Sequence, residues 1–242
     1  MRPPASSKQG SVQFPQSNTW LRWLPFLVLL LAAVIVLLVR NHFPDHWPVH
    51  WGRHGKPDRW ARKASLDVFF PIGFGIFLCG IIEGIATLLL AYPRAGKNQR
   101  VAPEAARTIA ILTAEFTRVV SLALAVVFAG LALVLPLSLP VRSGRLVLSV
   151  LLILGMAIAF GMWRMRQGAR ALQTRGLFAG LEGWNGIIYC NPQDPRVWVP
   201  KITGFGYTLN FAHRRSWLLL LAILAVPMCV VLMVLAVSWT SR

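Results

Sequence analysis

Five stretches of this 242-residue chain are longer and more apolar than the helices of a water-soluble domain. They run roughly from Trp20 to Val39, Leu66 to Ala91, Val119 to Leu139, Leu146 to Trp163 and Trp217 to Trp239. A helix needs about 20 consecutive apolar residues to cross a ~30 Å hydrocarbon core, and these runs meet that need. The expected fold is an all-α membrane protein of about five transmembrane helices. A small three-stranded β meander is expected in the loop before the last helix. Composition agrees, since only 14% of residues are charged against about 25% in an ordinary soluble domain.

The first run has Arg22 ahead of "LPFLVLLLAAVIVLLV", the outline of a signal peptide. Its apolar part is too long for one, and "RNHFPDHW" offers no small-residue cleavage site, so an uncleaved span is expected. Ser65 is placed to cap the second span, with Asp67 in its first turn, where the helix dipole favours an acid. The third apolar run begins at Thr108 and exceeds the bilayer, so Thr108 to Arg118 is expected to project as an amphipathic extension. Glu115 and Arg118 in it are spaced to pair along one helix. Trp20, Trp23, Trp163, Trp217 and Trp239 mark span ends, as interfacial aromatics do.

The expected organisation follows. Residues 1–18 form a disordered basic tail. Residues 19–92 form a two-helix unit with an outside loop at 40–65, and 93–163 hold the third and fourth spans. Residues 164–216 form a cytoplasmic basic helix plus the meander, and 217–242 the last span. The formal charge is +17, which in a soluble protein would suggest nucleic acid. Here the basic residues cluster between apolar runs, so anionic lipid headgroups are the expected partners and nucleic acid is not. Five spans place fifteen basic residues on the side of the tail and nine on the other. That bias predicts a cytoplasmic N-terminus. The three cysteines have no zinc or redox spacing and imply no disulfide framework.

The outside loop contains "PVHWGRHGKPDRW", and His42, His46, His50 and His54 recur every fourth residue. On one helix they would stack as a zinc site, but Pro44 and Pro48 forbid that helix. The expectation is no metal; if there is one, His50 and Asp58 are its ligands. Otherwise this is a surface loop, with Trp47, Trp51 and Trp60 among the headgroups. Gly52 and Gly55 permit tight turns, "KPDRW" turns into the second span, and Arg59 and Lys63 can meet lipid phosphates.

Glu83 is the carboxylate inside the second span. Such residues face a bundle interior or a wet cavity. Gly73, Gly80, Gly84, Thr87 and Ala91 form a small-residue stripe beside it, and "GIIEG" is a small-xxx-small packing motif. Two readings follow: a protonated carboxyl bonded across a helix interface, or a proton-linked or substrate-coordinating group. His50, Asp58 and Glu83 are the expected ligand-binding residues.

Beyond the fourth span, "RMRQGARALQTRG" predicts a basic helix stopped by Gly176. "IIYC", "RVWV" and "YTLNF" then read as the three strands, parted by "NPQDP" and "KITGFG". So few residues cannot bury a core of their own. They must lean on the basic helix, the membrane surface or another chain. No Ser/His/Asp constellation, Walker loop or dinucleotide fingerprint is present, so the sequence points to no catalytic residue and no cofactor.

Two stretches resemble known families. Pro48, His50, Trp51, Gly52, Gly55, Pro57, Asp58 and Lys63 make a pattern similar to the N-terminal membrane domain of SdpI-type immunity proteins. The segment from Trp184 to Ala212 resembles a small domain that follows membrane segments in bacterial proteins. Trp184, Tyr189, Asn191, Asp194 and Asn210 carry that resemblance, within a segment that also contains Lys201. The first resemblance implies the inner membrane of a bacterium and either immunity to a membrane-active toxin or signalling to a repressor. The chain departs from it in having five spans and the extra meander. The expected role is a sensor or interaction protein, with an outside ligand-facing loop and a protein partner at the meander. A transporter or membrane enzyme built on Glu83 is the rival, and a lipid-surface scaffold the third reading.

Overall fold

The computed structural model describes residues 19–51, 56–63, 66–91, 103–137, 143–177, 182–185, 188–201 and 206–240. The expected tail at 1–18, the Ser65 cap, Gly52, His54, Gly55 and most of the second connection lie outside the described residues. The helices are α1 (Leu24–Val39), α2 (Phe70–Ala91), α3 (Pro103–Val134), α4 (Ser143–Thr174) and α5 (Arg214–Thr240). Among the described residues, α1 to α4 lie in segments long and apolar enough to cross a membrane. Helix α5 follows with 27 residues, ~40 Å at the α-helical rise. The protein is an integral membrane protein.

The bundle core lies where α1, α2 and α3 meet. Leu29, Val36, Ile72, Cys79, Ala125 and Ala132 are buried together there. Gly75 is one of its close-packed points: a Cβ there would sit 3.0 Å from Phe128 Cβ. The stripe of Gly73, Gly80 and Gly84 is not. A Cβ at any of them would meet nothing within 4 Å, so the two glycines of "GIIEG" face away from the protein contacts. Packing instead uses Ile72, Gly75, Cys79, Ala86 and Leu89. Glycines on α4 let it approach α3, since a Cβ at Gly161 would overlap Phe116 and one at Gly168 would overlap Leu112.

Helix α3 runs on before Arg118 as expected, and it stops at Val134 short of Leu139. Helix α4 continues from the span into the basic segment without a break. It stops where Gly176 adopts φ +68°. Gly176 N–H donates to Gln173 O and Leu177 N–H to Leu172 O, which satisfies the last carbonyls of the helix.

The segment between α1 and α2 is an antiparallel hairpin of β1 (His46–Trp51) and β2 (Pro57–Arg62). "KPDRW" is thus mostly strand and not the expected turn. Two prolines are tolerated because each strand of a two-stranded ribbon has a free edge. The register shifts between Pro48 and Trp51, as a bulge does. Trp47 is not a headgroup residue either: it is buried in the bundle core with Phe43 and Ala61. Trp60 is exposed as expected. The hairpin is further tied by Arg40, which donates to Lys63 O, and by Lys63 Nζ, which donates to Asn41 O.

The runs expected as a meander are strands, with a different pairing. Trp184–Asn185 (β3) pairs with Ile188–Tyr189 (β4), and Trp198–Pro200 (β5) pairs with Tyr207–Leu209 (β6). A parallel bridge from Tyr189 to Asn210 joins the two pairs. This β module leans on the helix ends, as its size requires. Trp184, Tyr189 and Val199 pack with Ala105 and Ile109 of α3 and Leu172 of α4.

Candidate functional site

Three groups of polar side chains stand out, and they do not converge. On the hairpin, the second strand brings Asp58 to His50, and His50 Nδ1 lies 2.5 Å from Asp58 Oδ1. Both side chains are more than half exposed. Two of the three residues expected to bind a ligand are therefore side by side, and Glu83 is not with them. Among the described residues no third His, Cys, Asp or Glu joins them as a metal site would require.

Glu83 is elsewhere. It lies 13 residues past the start of α2, ~20 Å along the axis. Arg118 lies 16 residues before the end of α3, a similar depth from the hairpin end. Arg118 Nε and Nη2 donate to the two Glu83 oxygens at 2.9 and 2.6 Å. Thr87 Oγ1 donates to the same carboxylate at 3.3 Å. Arg22, just ahead of α1, brings its Nε to 3.6 Å, just beyond bonding distance. This two-pronged pairing is the geometry of a carboxylate with a guanidinium. The partner of the carboxyl across the helix interface is thus an arginine. Glu115 and Arg118 do not pair along their helix. Arg118 is taken by Glu83, and Glu115 accepts from Arg164 of α4 at 3.3 Å. The result is a charged layer, Arg22–Glu83–Arg118 and Glu115–Arg164, that ties four elements together near one edge of the apolar slab. Both Glu83 oxygens are engaged by Arg118, which fastens α2 to α3.

The third group is in the β module. Asn210 is fully buried and uses its whole amide. Its Oδ1 accepts from Asn191 N–H at 3.0 Å and Ala212 N–H at 3.2 Å. Its Nδ2 donates to Asn191 O at 2.8 Å and Asp194 O at 3.0 Å. Ser216 Oγ donates to Asn210 O at 2.5 Å, and His213 Nε2 meets Asp194 O at 2.6 Å. Asn191 turns the chain by accepting from Gln193 N–H. The Asp194 carboxylate accepts from Arg196 and from Tyr189 Oη–H at 3.0 Å. The Arg196 guanidinium holds the Asp194 carboxyl well below the usual carboxylate range, and burial pushes the Tyr189 hydroxyl up. Trp184 packs on the Tyr189 ring at 5.1 Å. Of the expected residues, Trp184, Tyr189, Asn191, Asp194 and Asn210 thus come together. Lys201 is exposed, and its N–H donates to Gly206 O beside the β5–β6 pair. His213 and Ser216 were not expected in the network. The N-terminal start of a helix at Arg214 was the available signal, because serines and turns gather there.

Comparison with known proteins agrees with this division. Residues 27–75 match a domain of unknown function (DUF1648), a domain found in SdpI-like membrane proteins. Residues 192–217 match a family of unknown function (DUF5808). The first match spans α1, the hairpin and the start of α2, and the second covers most of the Asn210 network. No curated protein and no solved structure matches the chain.

Proposed function

We propose that this protein is a membrane sensor, of the interaction or immunity type, that receives a ligand at the β1–β2 hairpin and answers through the C-terminal β module. The observation that carries this reading is that α3 touches both. At one end Ala132 packs in the core with Trp47 of the hairpin. At the other, Ala105 and Ile109 pack with Trp184, Tyr189 and Val199. The span between, ~40 Å at the helical rise, is one unbroken helix, and stiff elements of this kind can carry a displacement between sites.

In this reading the exposed His50 and Asp58 belong to the receiving surface, and the exposed Trp198 and Arg196 to the face offered to a protein partner. Glu83 keeps α1, α2 and α3 in register. The excess of basic residues on the side of the β module supports a bacterial inner-membrane protein with that side in the cytoplasm. Cys190 is exposed there. A membrane-impermeant maleimide should label it only in inverted vesicles, and labelling in right-side-out cells would reverse the orientation.

Amide hydrogen exchange on the full chain in nanodiscs tests the coupling. Trp47→Phe keeps the hairpin seated and alters its contact with α3. Changed exchange at Val199 to Asn210 supports a sensor. A change confined to the hairpin and the adjoining end of α3 sinks it.

A further inference from the structure

An apolar groove of about 230 Å³ opens beneath the hairpin. Trp47 and Val49 of β1 roof it, Phe70 and Phe74 of α2 form one wall, and Phe128 and Leu131 of α3 the other. Its one acidic lining residue, Asp67, is already engaged by another group. Two features say what fits. The walls belong to membrane-crossing segments, so the groove opens where lipid tails lie. An apolar cavity of about 150 Å³ holds a benzene ring, so this groove has room for a short alkyl segment.

The roof supplies the second feature, a positive charge at headgroup level. The register sets Arg59 opposite His50, the residue that follows Val49 of the roof. Arg59 and Lys56 are exposed. We propose that the groove is a binding site for one acyl chain of an anionic phospholipid from the hairpin-side leaflet, with Arg59 meeting its phosphate. The lipid would then be part of the hairpin's seat. This site stands or falls independently of any signalling role.

Native mass spectrometry of the full-length protein tests it. The probe is a bilayer of equal phosphatidylglycerol and phosphatidylcholine with identical chains. The wild type should carry one phospholipid, with phosphatidylglycerol favoured by about fivefold, the effect of one basic residue at a charged membrane surface. Val49→Trp fills the groove from its roof and should abolish the bound lipid. Leu131→Trp fills it from the wall, should do the same, and covers the case in which the hairpin variant misfolds. Arg59→Gln should keep the lipid and lose the preference. Retention unchanged in both groove variants, a preference unchanged in Arg59→Gln, or a lipid-free protein that flies as a dimer or with a peptide would each overturn the site.

Discussion

The β1–β2 hairpin and the C-terminal β pairs are both too small to bury a core of their own, and they are fastened in opposite ways. The hairpin is held by apolar anchors: Trp47 and Ala61 enter the core of α1, α2 and α3 beside Phe43. Its polar pair, His50 and Asp58, stays in the open. The β module inverts this. Its apolar contact with α3 and α4 is modest, and a buried amide, Asn210, bonds to the backbone at three separate places in the chain. An apolar anchor tolerates sliding, because dispersion and burial have little direction. A buried polar lock is satisfied in one geometry only. The hairpin is therefore the part suited to yield to a ligand, and the module the part suited to present a fixed surface.

Asn210→Leu should break the contrast most severely. It takes the acceptor from two backbone N–H groups, those of Asn191 and Ala212, each costing roughly 1–3 kcal/mol if left buried without a partner. The module should lose its structure altogether, with fast amide exchange from Ile188 to Leu209 and helices α1 to α3 intact by circular dichroism. Slow exchange in that variant would mean that the apolar contacts alone hold the module.

Trp47→Ala should come next. Removing a buried large aromatic costs about 3–5 kcal/mol, and the loss should appear as earlier thermal unfolding in nanodiscs. Trp47→Phe should recover most of it, since shape matters little to an apolar anchor. Equal losses in the two variants would show that the hairpin is also locked by specific geometry.

A smaller effect separates the two units by pH. Asp194 is more acidic in the folded protein than in the unfolded chain, so folding favours its ionised form. Its contribution is complete above the ordinary carboxylate pKa of about 3.9 and is lost as pH falls below that value. Arg196 is largely exposed, which limits the contribution to about 1 kcal/mol. Exchange in the module should accelerate on acidification below pH 4, and Asp194→Asn should remove that dependence. A wild-type module indifferent to acid would show that the carboxylate contributes nothing to the lock.

Much of this was legible in the sequence where the signal is local. Unbroken apolar runs set the spans, and Gly176 sets the end of α4. Partner choice was not legible. Glu115 and Arg118 have the spacing to pair on one helix, yet α2 and α4 bring Glu83 and Arg164 closer to them. A one-helix rule cannot contain that information. The glycine stripe failed for the same reason, since only packing shows that Gly75 and not Gly80 faces a neighbour. The hairpin was hidden by Pro48 and Pro57, which argue against strands in any sheet with more than edges. The β pairing was hidden because the Tyr189–Asn210 bridge joins residues far apart in the chain.

The smallest expected effect falls on the exposed polar pair of the hairpin. His50 and Asp58 are 2.5 Å apart and exposed on both sides. Exposed ion pairs contribute about 0–1 kcal/mol, and neither residue is among the buried anchors that seat the hairpin. His50→Ala should leave the unfolding temperature within the error of the wild type. The hairpin's register rests on Trp47 and Ala61, so it too should be unchanged by amide exchange. A large loss would make the pair a second lock and erase the contrast between the two units. No loss leaves a polar pair held in the open by a fold that does not need it, which is what the proposed receiving surface requires.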